Sequence, residues 1–236
     1  MSQELPQVED FRRPVVEDVP PLDVLAPLEF YQGHFPHAEN HWLIDDEERE
    51  QIGKQYKHLG QDAAIDLGHE LVTGQLKDDR IAMWKAFAEQ HPDGVLYCFR
   101  GGMRSKISQQ WLYDETGILY PRIKGGYKAM RRYLIDEMER LAPTLPMVVI
   151  GGRTGVGKTR FLLEFKETID LEGLAKHRGS AFGPRVQPQP NQTDFENQLT
   201  IEVIKHLHYM EQPILLEDEG RSIGSRAVPE SFNKQM

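Results

Sequence analysis

The chain is poor in cysteine, in long apolar runs and, over its first 97 residues, in positive charge. A single cysteine, Cys98, excludes an intramolecular disulfide and a Cys-rich zinc site, and leaves one thiol whose surroundings matter. No apolar stretch approaches the ~20 residues that span a bilayer, so no membrane partner is expected. The first residues, MSQELPQVEDFRR, are polar and acidic and do not read as a secretory signal, which points to the cytoplasm. The net charge of −9 argues at first against a nucleic-acid partner. Its distribution argues otherwise: residues 1–97 carry 8 Lys/Arg against 20 Asp/Glu, whereas residues 98–132 carry 8 against 2. A basic stretch that starts at the lone cysteine is what an anionic ligand would select, although a merely solvated basic face has the same composition.

What is present is ordinary for a globular α/β protein: 236 residues, 39% hydrophobic and 28% charged. PLDVL and HWLI read as short extended runs. From about Gln61 to Gln90 the chain reads as helix-rich, with Ile65, Leu67 and Leu71, then Ile81, Trp84 and Phe87, as apolar stripes. GVLYCF, MVVI and PILLED (213–218) are short apolar runs of the kind that make buried parallel strands. Helices are predicted from about Ser105 to Asp114, from Tyr127 with Met130, Leu134, Met138 and Leu141 on one side, and from Asp194 to Met210. APTLP at 142–146 cannot continue a helix and reads as a linker. Two α/β domains with parallel sheets are therefore expected, 1–143 and 146–236.

Cys98 ends a predicted strand and is followed by FRGGMRS and a helix. Such a turn points successive backbone N–H groups at one place above the thiol, and Arg100 and Arg104 would add positive charge. The arrangement suits a stabilised thiolate that attacks an electrophilic sulfur, selenium or phosphorus atom beside an oxyanion. Five residues separate Cys98 from Arg104, a loop wide enough for a phosphate-bearing substrate.

Gly152-Arg153-Thr154-Gly155-Val156-Gly157-Lys158-Thr159 fits G-x-x-x-x-G-K-[ST] in full, directly after the strand MVVI. In a P-loop of this kind the backbone around Gly152, Thr154, Gly155 and Gly157 wraps a diphosphate, Lys158 reaches a terminal phosphate and Thr159 ligates Mg²⁺. Asp218, at the end of PILLED, is the expected acidic partner of that metal.

The blocks around these loops sharpen the reading. LDVLAPLEFYQGHFPHAEN resembles the rhodanese pattern, in which the turn accounts for His34 and Pro36. YCFRGGMRS, GGYKAMR (125–131), GGRTGVGKT, DLEGLAKHRGSAFG (170–183) and LEDEGRSIG (216–224) resemble, in order and wording, the tRNA 2-selenouridine synthase family. The resemblance runs from about Leu22 to the last residue. It implies a rhodanese-like domain followed by a P-loop NTPase-like domain, in a monomeric transferase that acts on the anticodon region of tRNA. The implied reaction replaces the sulfur of a wobble 2-thiouridine by selenium from selenophosphate, by way of S-geranyl-2-thiouridine made from geranyl diphosphate. Cys98 then matches the catalytic cysteine, carrying selenium as a selanyl-cysteine, and 152–159 match the family's P-loop. Arg122, Lys124, Lys128, Arg131 and Arg132 are candidate contacts to the tRNA backbone, with Lys176 and Arg178 as a second patch.

The sequence departs from the family at Leu25, where Arg is usual, and at Gly220, where Ser is usual. Only 18 residues follow Asp218, so the second domain is expected to be incomplete at its C-terminal side. The alternatives are a Cys-dependent phosphatase or sulfurtransferase with a regulatory nucleotide domain, and a shortened chain that binds tRNA without turning it over.

Overall fold

Parallel strand pairing organises both halves of this computed structural model, which describes residues 4–100, 102–153, 155–178 and 187–236. The chain divides into two compact units, 1–130 and 131–236.

The first unit contains β1 (Gln7–Val8), α1 (Arg12–Val16), β2 (Pro21–Asp23), α2 (Pro27–Gln32), β3 (Glu39–Asn40), α3 (Asp46–Leu71), α4 (Gly74–Gln90), β4 (Val95–Tyr97), α5 (Met103–Thr116), β5 (Arg122–Ile123) and the start of α6 (Gly126–Leu141). The strands form one five-stranded sheet in the order β1-β5-β4-β2-β3, with every neighbouring pair parallel. β2 and β4 are buried at every position, which is why β4 reads as an unbroken apolar run rather than an alternating one, while β2 buries Asp23 as well. β1 and β5 are two residues each and carry no such signal; pairing with their neighbours, not sequence pattern, makes them strands. HWLI is not a strand: Leu43 and Ile44 are buried just before α3.

α3 begins earlier than its apolar stripe indicates, because Asp45 and Glu48 close a capping box at 2.8 and 2.7 Å. The stretch read as one helical region is two helices, α3 and α4, parted at Val72–Thr73. Trp84 is fully buried, and its indole N–H donates to His41 O at 2.8 Å.

The second unit holds the rest of α6, β6 (Met147–Ile150), α7 (Lys158–Leu162), α8 (Leu171–Leu174), α9 (Gln192–Tyr209), β7 (Ile214–Glu217), the antiparallel pair β8 (Ser222–Ile223) and β9 (Arg226–Ala227), and α10 (Glu230–Asn233). β6 pairs with β7 in parallel over four residues, ending with Ile150 opposite Glu217. α9 starts at Asn191, whose side chain accepts the Asp194 N–H at 2.8 Å, and buries Phe195, Leu199 and Val203 at four-residue spacing. These pack with Met138, Ile214, Leu216 and Phe232.

The division between units falls at Met130 and Arg131, inside α6, whereas the sequence placed it at 143–146. APTLP makes a 3₁₀ turn at 142–144, and Ala142 and Leu145 are buried in the second unit's core. Pro143 does end the helix; the segment then packs instead of spanning solvent.

Candidate functional site

Cys98 lies one residue past the carboxyl end of β4, the middle strand of the sheet, where open parallel sheets place their ligands. Its side chain is 1% exposed, and Sγ contacts Ser105 Oγ at 3.2 Å. Ser105 in turn donates to Gly102 O at 3.2 Å, so the thiol is tied into the first turn of α5. The backbone is held from the far side: the Tyr127 and Lys128 N–H groups donate to Cys98 O and Phe99 O at 2.8 and 2.9 Å. Gly126, with φ 64°, makes this clamp feasible, since a Cβ there would fall 2.2 Å from Cys98 O. The GGYK block, noted in the sequence only as a family word, is thus the strap under the cysteine loop.

The two arginines of the loop fare differently. Arg104 is part-buried in a bidentate pair with Glu29, at 2.5 and 3.0 Å. Burial works against the Arg104 charge, but the hydrogen bond and charge of Glu29 outweigh it and raise its pKa, with a smaller contribution from Cys98. Burial likewise pushes the Glu29 carboxyl up, and Arg104 brings it net below its usual range. Arg100 is exposed and forms no ion pair with a described residue. Arg122, placed by the sequence with the outlying basic strip, reaches the loop instead: its Nη1 lies 2.9 Å from where a Cβ of Gly102 would be.

Beneath the loop, Asp23 and Tyr97 oppose each other in the β2–β4 register, both wholly buried. Asp23 Oδ1 accepts the Leu25 N–H at 2.6 Å, but Asp23 Oδ2 and Tyr97 Oη lack a hydrogen bond of proper geometry. Desolvation raises the Asp23 pKa to about 7, although Tyr97 is close enough to offset part of the rise. Burial and Asp23 together push the Tyr97 phenol up. Leu25, noted in the sequence as a departure, is buried in the core. Phe35, Tyr97, Phe99 and Tyr127 cluster here with ring centroids 4.8–6.3 Å apart, and Phe99 is 37% exposed.

The histidines of the preceding turn do not converge on a common point. His34 stacks on Phe30 at 4.1 Å, and His41 pairs with Glu39 at 3.2 Å.

In the second unit, Gly152, Gly155 and Gly157 take φ of 154°, 85° and 91° and lead into α7. Thr154, assigned to the same loop, lies outside the described residues. Lys158 Nζ contacts Gly152 O at 3.0 Å and Glu217 Oε1 at 3.1 Å. Thr159 Oγ1 donates to Glu217 Oε2 at 2.6 Å.

The acid on the Thr159 hydroxyl is Glu217, whereas the sequence reading chose Asp218. Side chains alternate along a strand, so Asp218 leaves on the other side, with Oδ2 3.6 Å from the Cβ position of Gly151. Glu172, Glu217 and Glu219 each bring a carboxylate oxygen within 4.8 Å of the others. Burial and these neighbouring carboxylates raise the Glu219 pKa to about 7. Glu172 was missed because it comes from a separate segment; Glu219 directly follows PILLED and was passed over in favour of Asp218.

The basic candidates are dispersed. Arg131 is held by Glu196 and by Asn197 Oδ1 at 2.9 Å, Lys124 pairs with Glu9 at 2.8 Å, and Arg132 pairs with Asp136 at 3.0 Å. Lys128, Lys176 and Arg178 are exposed without an ion pair to a described residue.

Fold and sites together define a two-unit α/β protein with a buried, strapped cysteine at a parallel-sheet edge and a separate glycine-rich lysine loop. Residues 145–236 match the family described as "tRNA 2-selenouridine synthase AAA domain". Proteins named tRNA 2-selenouridine synthase are 52% identical over 98% of the chain in Marinobacter nauticus, 56% over 96% in Cupriavidus pinatubonensis and 54% over 97% in Photobacterium profundum. The chain is thus related along nearly its whole sequence to the tRNA 2-selenouridine synthases, the family read from its motifs. It spans 62–63% of the length of these three relatives. A solved N-terminal domain from Clostridium difficile 630, described as ATP/GTP-binding, is 32% identical over 50% of this chain and 89% of its own, with a TM-score of 0.45. Among the described residues no helix is long and apolar enough to cross a membrane.

Proposed function

We propose that the chain carries the machinery that converts a wobble 2-thiouridine of tRNA into 2-selenouridine, with selenophosphate and geranyl diphosphate as co-substrates. The observation that carries this reading is the presence of two separate anion-handling loops in one chain that is 52–56% identical to proteins of that name. The first unit is the rhodanese-like half: its parallel sheet puts Cys98 at the carboxyl edge, with Arg122 and Arg104 close to the loop. Cys98 receives the selenium donor there, and the exposed ring of Phe99 offers a face on which an unstacked base can lie.

The second unit grips geranyl diphosphate. Lys158 and the glycine backbone hold the leaving diphosphate, whose charge grows as the geranyl carbon passes to the 2-thio sulfur. Lys158 must then give up Glu217 for phosphate, and Glu217 remains available to a metal with Thr159. The donor set fits Mg²⁺: all oxygen, and with the Glu219 pKa raised to about 7 by burial and by neighbouring carboxylates whose charge a cation would relieve. When bound, Mg²⁺ supplies charge neutralisation at the diphosphate. Geranylation makes the sulfur of C2 a departing thiol: the selenium of selenophosphate bonds to C2 as geranylthiol leaves, and the phosphoryl group passes to water.

Mass spectrometry of nucleosides from 2-thiouridine tRNA incubated with the chain and both co-substrates tests the proposal. Selenouridine that depends on both co-substrates supports it. Release of phosphate from a small aryl phosphate, with no modified base, would favour the phosphatase reading.

A further inference from the structure

Helix α3 does not run straight. Gly60 takes φ 88° and ψ −171°, which breaks it into arms 46–59 and 61–71. On the first arm Ile52, Gly53 and Tyr56, and on the second Ala64, Ile65 and Gly68, recur at helical spacing, so each arm turns one face to the same space. Met103, Ile107 and Trp111 of α5 complete the enclosure of a cavity of about 610 Å³. Leu43, Ile44 and Val72 line it with buried apolar side chains. The charged groups that line it include Arg49, Lys57 and Arg100, with Arg104 already tied to Glu29.

An apolar cavity of this size takes a small organic chain, and cations set singly around it select an anionic carrier. These three cations, which form no ion pair with a described residue, come from two turns of α3 and from the cysteine loop. Carried by two elements around an apolar space, they suit an anionic carrier such as a polynucleotide. Arg100, Met103 and Arg104 belong to the segment that follows Cys98, so a chain lodged here has its attachment point at the cysteine loop.

We infer that this cavity binds the apolar S-alkyl chain of a prenylated tRNA base, about ten carbons long, while the Cys98 loop faces the base. This rests on the S-geranyl intermediate of the proposed function and goes beyond it by placing the chain in the first unit, away from the diphosphate loop.

Gly53 supplies the test, because a Cβ built there meets nothing within 4 Å and Gly53→Phe would fill the cavity from a helical position. The full chain is titrated with an anticodon stem–loop carrying S-geranyl-2-thiouridine and with the same stem–loop carrying 2-thiouridine. Trp111, in the cavity wall, is the fluorescent reporter, and a thermal melt verifies that the variant folds. Wild type should prefer the geranylated form by at least about tenfold. Gly53→Phe should lose that preference and keep its affinity for the 2-thiouridine form. A preference absent in wild type, or intact in the variant, overturns the inference.

Geranyl diphosphate alone is the second arm. Binding lost in Gly53→Phe and kept in Lys158→Ala would place the free donor in the cavity, which also overturns it. If neither stem–loop binds but geraniol quenches Trp111 in wild type only, the cavity takes a prenyl chain unconnected with tRNA. That outcome overturns the base-attached assignment and the proposed function together. Failure of selenouridine formation with the geranyl preference intact would sink the proposed function alone.

Discussion

The loop after Cys98 and the loop before Lys158 both handle anions in the proposed function, yet they are built in opposite ways. The cysteine loop sits on the middle strand of a five-stranded sheet, over buried side chains and held by a backbone strap from Gly126–Lys128. The guanidinium of Arg104 is occupied by Glu29. The lysine loop rests on a two-stranded parallel sheet; Lys158 and Thr159 meet on Glu217, with Glu172 and Glu219 beside it. A nucleophile must be held in one orientation, and a rigid apolar setting does that. A diphosphate clamp has to exchange its partners when ligand arrives, so it keeps polar stand-ins at hand.

The sharpest way to break the comparison is to remove the nucleophile. Cys98→Ser should lower selenouridine formation on the order of 10³-fold or more, while S-geranyl-2-thiouridine accumulates. Nucleoside mass spectrometry reads both, and selenouridine at the wild-type level would dismiss Cys98 as nucleophile. Lys158→Ala is the reciprocal experiment. Geranylation should fall about 10²-fold, with pre-geranylated tRNA still converted to selenouridine. If the variant geranylates normally and cannot selenate, the two loops have been assigned in the wrong order.

A smaller effect separates stability from function in the cysteine loop. Glu29→Gln removes the counter-charge of a part-buried pair and should cost about 2 kcal/mol in urea unfolding. It should also speed alkylation of Cys98 near neutral pH, because Arg104 is left uncompensated near the thiol. An unchanged alkylation rate would mean that Arg104 does not act on Cys98.

Asp23 gives a pH signature. Its folded pKa, about 7, lies above the unfolded value, so burial favours the protonated form. The unfolded chain releases that proton first as pH rises from about 4 to about 7, and wild type should lose stability across this window. Asp23→Asn should remove roughly 1–2 kcal/mol of that slope. Melting temperatures at both ends of the window decide it.

The least effect belongs to the lysine loop. Mg²⁺ affinity should weaken about tenfold from pH 8 to pH 6 as Glu219 takes up a proton, and Glu219→Gln should flatten the dependence. Calorimetric titration measures it. A pH-independent affinity would remove Glu219 from the metal's surroundings.

The linear chain already determined what adjacent residues control. β4, β6 and β7 are apolar runs bounded by turns and all three are parallel strands, but only β4 is buried throughout; β7 is buried at alternate positions and β6 at none, with Val148 exposed. The glycines and Lys158-Thr159 of the second loop follow one another within eight residues, so spacing alone places them. The stretches over α5, α6 and α9 carried enough periodicity for the helices to be read within two or three residues of their ends. Tertiary structure decided the groups that meet across sequence. Glu29 reaches Arg104 from 75 residues away, and Glu217 reaches Thr159 from 58. Asp23 acquires its raised pKa because parallel pairing buries it inside the sheet, where Tyr97 opposite offsets only part of the rise. The cavity of the first unit depends on the break at Gly60, which turns two helical faces onto one space. A glycine within a helical pattern does not announce its φ, and a carboxylate does not announce its partner. Those are settled when burial removes water as the alternative and only the neighbours brought by the fold remain to satisfy each group.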